Sequence, residues 1–174
     1  MGLRHLRIAL AIPEYGQEPQ NATADSINLG CELIDLERYP SAADALQRAL
    51  EFARPTDDAQ QACHAHHNLT EIALRQGDRV MARQHAEHQL RLAEELGDPL
   101  REAAALDSLA SALIHEDPAA ARVRWREARR VYRELDHRIA PVLDEWLSAL
   151  DAFEESAELA AADDSRRRRC RRLL

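Results

Sequence analysis

A forty-residue echo constrains this chain more than any other feature of its sequence. Leu29 returns as Leu69 and Leu109, and Ala42 returns as Ala82 and then, 39 residues on, as Ala121. Leu46 is echoed by Ala86 and Trp125, and Ala49 by Gln89 and Ala128. Leu6 and Ala9 stand forty residues ahead of Leu46 and Ala49. Self-similarity at a period of about 20–50 residues marks a stacked-repeat architecture, in which no unit buries its apolar face alone. Each period holds two helical patterns around a break. In the first complete unit one pattern runs through Asn28, Leu29, Gly30 and Leu33, the break falls at Tyr39-Pro40, and the other passes through Ala42, Leu46 and Ala49. The expected fold class is all-α.

The punctuation divides the chain into one repeat domain over 1–161 and an Arg-rich tail, expected to be disordered, over 162–174. Residues 1–20 read as a half repeat, since Leu6 and Ala9 match a second helix and Pro13 ends the pattern. Such an opening points to a shortened gene or a piece of a longer protein. Complete repeats follow over 21–62, 63–98 and 99–136, with Asn21 as a candidate N-cap. Gly77 and Gly97 suit left-handed helix ends, and Asp78, Asp98-Pro99 and Asp117-Pro118 suit helix starts. A capping helix is expected over 137–161, with Ile139, Leu143, Trp146, Leu150 and Phe153 on its apolar stripe and Trp125 and Trp146 as buried anchors.

Helix pairs that stack must approach closely, so small residues are needed at the crossings. Gly30, Thr70 and Ala110 fill that role in the first helices, and Ala42, Ala82 and Ala121 in the second. This pattern, with a later Pro55, resembles the tetratricopeptide repeat. The forty-residue period and the phrase Glu94-Glu95-Leu96-Gly97-Asp98 resemble the long-helix version found in the C-terminal region of bacterial, notably actinobacterial, transcriptional regulators and signal-transducing ATPases. The resemblance covers residues 3–136 and departs from the family at Ser26, His66 and Leu106, often Trp there, at Ala73, often Tyr, and at Gln89, often Ala.

The resemblance implies a right-handed α-solenoid of antiparallel helix pairs, whose first helices line a concave groove. Groove positions carried over from the family are Ile27, Cys31 and Asp35, then His64, His67, Glu71 and Arg75, then Asp107, Ser111 and His115. That mixture of charges and imidazoles suits a peptide or partner protein. The family's carboxylate clamp wants Lys and Asn where Ile27 and Cys31 stand, so a chaperone C-terminus is not the expected ligand. The implied role is a non-catalytic interaction scaffold, the sensor part of a bacterial regulator or a shortened relative. The alternative is a homodimer formed through the open half repeat.

Other chemistry is poorly served. There is no GxSxG, no phosphate-binding Gly-rich loop and no HExxH, and the adjacent carboxylates Glu154-Glu155 and Asp163-Asp164 diverge around a helix. No enzyme and no cofactor are expected. Cys63, His64, His66 and His67, with His85 and His88 on the paired helix, tempt a metal reading, but solvated histidines on a polar face are preferred, and no metal is expected. A formal charge of −8 disfavours nucleic acid, and the tail's Arg run lacks interleaved aromatics, so no specific nucleic-acid or membrane partner is expected. Three scattered cysteines without a CxxC pair suit a reducing cytoplasm, the expected location.

Overall fold

The computed structural model of the chain describes residues 19–153, and every regular element among them is helical. The helices are α1 (Pro19–Asp35), α2 (Tyr39–Ala53), α3 (Ala59–Gln76), α4 (Arg79–Leu96), α5 (Pro99–Leu113) and α6 (Pro118–Glu134), with a 3₁₀ turn at Arg54–Thr56. A further helix, α7, begins at residue 140 and continues to 153. The half repeat expected over 1–20 lies outside the described residues except for its last two positions, as do the end of the capping helix and the Arg-rich tail.

Four aspartates set the helix starts. Asp58, Asp78 and Asp117 each accept the backbone N–H three residues on, from Gln61, Met81 and Ala120, at 2.9–3.0 Å. Asp98 accepts from both Leu100 and Arg101 ahead of Pro99. These bonds satisfy donors that the first helical turn leaves unpaired. Two boundaries differ from the sequence reading. Helix α1 starts at Pro19, which places Asn21 inside it, and the Asp58 cap starts α3 at Ala59, ahead of Cys63.

The turns repeat as the helices do. Glu37 and Gly77 (φ 56° and 74°) close the first helices of two successive pairs in the left-handed region. Asp57, Gly97 and Asp136 (φ 51°, 60° and 49°) do so between pairs. Glycine takes this conformation without steric penalty, and Asp tolerates it better than most residues.

Within each pair the helices pack antiparallel: α1 on α2, α3 on α4, α5 on α6. The small crossing residues are buried, Ala42, Ala82, Ala110 and Ala121 completely. Between pairs, α2 meets α3 and α4 meets α5, and the first helices also touch one another, α1 to α3 and α3 to α5. The second helices make no comparable contact with one another. One cluster of core residues joins Leu29, Leu33 and Leu46 to Leu69 and Ile72, and another joins Leu106, Trp125 and Tyr132 to Leu143 and Leu147. The middle of the stack is thinner, held by Cys63, Ala93 and Ala105 and by Ala73, Ala82 and Ala112.

Helix α7 covers α6 with part of the expected stripe, since Leu143 is buried and Ile139 and Leu150 pack against the same core, but not with Trp146 or Phe153. Ala140, Leu143 and Leu147 are buried, whereas Trp146 is 44% and Phe153 72% exposed. Trp146 is therefore no buried anchor; it meets the buried Trp125 edge-on, with centroids 5.5 Å apart. The stripe turns because α6 offers carboxylates of α7 a row of guanidinium groups. Arg129 and Arg133 reach Asp144, and Arg122 reaches Asp151 at 3.2 Å.

Candidate functional site

The first helices place their polar side chains in adjoining rows, and two hydrogen bonds tie the rows together. Asn68 Nδ2 of α3 donates to Cys31 Sγ of α1 at 3.4 Å, and Ser108 Oγ of α5 lies 3.3 Å from His67 Nδ1 of α3. Desolvation raises the Cys31 thiol above its ordinary pKa, aided by the negative charges of Asp35 and Glu71, so it stays protonated and a poor nucleophile. Asp35 is exposed, and Glu71 forms an i,i+4 ion pair with the exposed Arg75 at 2.6 Å. Tyr39, at the start of α2, lies near enough to Arg75 to favour its charged form together with Glu71.

Further along, His67 also meets the amide of the buried Gln89 at 3.4 Å. Asp107 accepts the indole N–H of Trp125 at 2.9 Å and feels the nearby His67. Burial raises the Asp107 pKa, while Trp125 and His67 oppose that rise. His64 is lowered by desolvation and by Arg101 and His67 beside it. Ser111 is half-buried and His115 exposed on α5 and its C-terminal turn. The predicted set is thus split: Glu71 with Arg75, and His67 with Asp107, stand together, while Asp35, His64, Ser111 and His115 flank them. Ile27 is a correction. It is only 4% exposed, packed in the core with Leu29 and Leu33, and presents nothing to a ligand.

Asp107 allows a clean test of burial against hydrogen bonding. Its pKa is raised in the folded state, so ionisation opposes folding and the opposition is complete above the folded pKa; it fades as pH falls through that value. Asp107→Asn retains an acceptor for Trp125 and removes the charge, so stability at pH 7 should hold or rise. Asp107→Ala leaves the indole N–H without an acceptor and should cost about 1–3 kcal/mol. Urea unfolding of both variants reads the difference; equal losses would contradict this assignment.

A cleft elsewhere in the molecule was not foreseen. A cleft of 590 Å³ opens between α2 and α4, floored by the first half of α3. Gln47, Leu50 and Arg54 form one wall, and Gln84, His85, His88 and Arg91 the other. His66 rises from α3 into it, its Nδ1 3.1 Å from His85 Nδ1, and His88 stacks on the His66 ring with centroids 5.0 Å apart. Burial, His85, His88 and Arg91 together hold His66 down to about 4. Arg91 makes a close contact with His88. The expected row of solvated histidines is thus corrected at His66, which is partly buried and meets His85 and His88 across the helix pair. Cys63 is buried with its thiol toward the Gln89 carbonyl at 3.7 Å, which removes it from any solvated face. Among the described residues no three His, Cys, Asp or Glu side chains are arranged to hold a metal ion.

The sequence carried one signal for this cleft, because His66 is among the points where the second unit leaves the repeat pattern. Asn68 and Ser108 carried none: polar residues one helical step from the core look like ordinary boundary positions. Comparison with known proteins matches the chain to no family model and to no curated protein. No helix among the described residues is long and apolar enough to cross a membrane.

Proposed function

We propose that the chain is a non-catalytic interaction scaffold, a right-handed α-solenoid of the tetratricopeptide kind that binds a peptide or partner protein along α1, α3 and α5. The observation that carries this reading is the lateral tie between first helices, Cys31 to Asn68 and His67 to Ser108. First helices that touch while second helices stay apart make a stack that curves with the first helices inside. A ligand laid along the inside meets the Glu71–Arg75 pair and the His67–Asp107 neighbourhood in succession. Exposed charges there set partner choice more than raw affinity. By resemblance, the scaffold serves as the sensor part of a bacterial regulator, located in the cytoplasm.

The test begins with partners captured by the full chain and identified by mass spectrometry, then bound to purified protein. Exchanging Glu71→Arg with Arg75→Glu preserves an ion pair on the helix while inverting the surface pattern. Affinity should fall about tenfold or more, the scale of an electrostatic mismatch of about 1.4 kcal/mol. Reversing Arg130 and Glu134, an exposed pair on α6, should leave it unchanged. Binding that ignores the first exchange and follows the second would place the partner on the opposite face.

A further inference from the structure

Charge is sorted between the first and second helices of the stack. Helices α1, α3 and α5 carry six carboxylates (Asp25, Glu32, Asp35, Glu71, Glu102 and Asp107) against the two guanidinium groups of Arg75 and Arg101. Helices α2, α4 and α6 carry seven carboxylates against ten guanidinium groups. Both cations of the first helices are already engaged, Arg75 with Glu71 at 2.6 Å and Arg101 with Asp98 at 3.0 Å. Asp35 and Asp107 form no ion pair among the described residues. The first helices therefore present a negative potential, which attracts and orients a cationic partner.

At Asp107 this general excess becomes a seat. One carboxylate oxygen accepts the indole N–H of Trp125, the other takes no hydrogen bond from the described residues, and Asp107 is only half-buried. His67 lies close enough to act on that carboxylate, and the Gln89 amide reaches His67 Nδ1 at 3.4 Å. Gln89 is 2% exposed, and its side-chain carbonyl oxygen has no donor. Two acceptors around one imidazole thus lack anything that donates to them, and a buried polar group left unpaired costs free energy.

We propose, on the footing that the first helices form the binding face, that this face takes an extended, arginine-rich segment of a partner protein, one guanidinium seating on Asp107 beside His67 and Gln89. A guanidinium fits better than an ammonium group. Its planar fork offers parallel N–H donors to a carboxylate, and its weaker hydration lowers the cost of entering a half-buried seat. Asp35, which with Glu71 acts on the Cys31 thiol, is the second acidic point, toward α1.

The test uses the full chain and fluorescein-labelled peptides that alternate Ala with Arg, with citrulline or with Glu, read by fluorescence anisotropy. Citrulline keeps the shape of Arg and removes its charge. The Arg peptide should bind, and the other two should bind at least about tenfold more weakly. Asp107→Asn, which keeps the acceptor for Trp125, should weaken the Arg peptide about tenfold or more. Asp35→Asn, at an exposed site, should weaken it about two- to fivefold. Glu127→Gln, on α6 and paired there with Arg124, should change nothing. Circular dichroism checks each fold, and Asp35→Asn with the three peptides carries the test if Asp107→Asn does not fold. No binding of any peptide, equal binding of the Arg and citrulline peptides, or a loss with Glu127→Gln matching that of Asp107→Asn would overturn the proposal. A captured partner that responds to the Glu71–Arg75 exchange but ignores Asp107→Asn and Asp35→Asn would overturn the arginine seat alone. A partner that ignores all of these changes would overturn the binding face as well.

Discussion

Gly30→Leu is expected to abolish the folded state at room temperature, and Gly30→Ala to destabilise it by about 1–3 kcal/mol, the usual cost of overpacking a core. A Cβ on Gly30 would lie 2.7 Å from Leu46 Cγ and 2.8 Å from its Cδ2. Leu46 has no exposed surface and is held by its neighbours in the first core cluster, so it has little room to retreat. Alanine gains up to about 1 kcal/mol over glycine in helix propensity, which the clash outweighs. Shortening the partner should relieve it. Leu46→Ala alone should cost about 2–5 kcal/mol through the cavity it leaves. Combined with Gly30→Ala it should cost less than the sum, by about 0.5–3 kcal/mol of coupling. Strictly additive losses in urea unfolding would mean that these helices do not cross at Gly30.

Acidification is expected to loosen the middle of the stack before the carboxylates titrate fully. His66 is held down to about 4 from an ordinary imidazole value of 6.5. A depressed pKa means that the unfolded chain binds the proton more readily than the folded one. The contribution is therefore intact above pH 6.5 and is lost as pH falls from there through 4. His66 is only partly buried, so after screening by solvent the loss should be about 1–2 kcal/mol. The surrounding charges act in both directions. His85, His88 and Arg91 disfavour a charged His66, whereas Asp57, Asp58 and Glu95 border the same cleft, and Asp78 favours a charged His85. Stability followed from pH 7 to 5 should fall more steeply for the native chain than for His66→Gln. Parallel slopes would assign the acid sensitivity to other groups.

How far the sequence led depended on whether a feature was written in residue type or in packing. The Leu and Ala echoes, the glycine helix ends and the Asp-Pro starts are chemical necessities of helix pairs, and they were legible. The left-handed turns at Glu37, Asp57 and Asp136 were not, because these residues do not advertise a positive φ. Their spacing is informative only beside Gly77 and Gly97. The stripe on α7 was misread at Trp146 and Phe153 because Leu143 and Leu150 belong to two overlapping helical rows. Only the Asp144 and Asp151 contacts with α6 show that Leu147, and not Trp146, turns inward. Along the first helices, the polar rows were readable but the ties between them were not, since each tie joins side chains 37 or 41 residues apart.

The arrangement of consecutive first helices is most directly tested by a covalent bond. With Cys63 and Cys170 replaced by Ser, Asn68→Cys places a second thiol one bond short of the amide nitrogen that now touches Cys31 Sγ at 3.4 Å. The two cysteines would face each other across helices that pack side by side, so small movements of those helices bring the thiols into the range a disulfide requires. Mild oxidation of the dilute protein should yield an intramolecular disulfide by mass spectrometry, while a Gln47→Cys, Gln84→Cys pair across the cleft, in a background with the native cysteines replaced by Ser, should remain reduced. Failure of the first pair to close, or ready closure of the second alone, would contradict a stack whose first helices lie together on the inside.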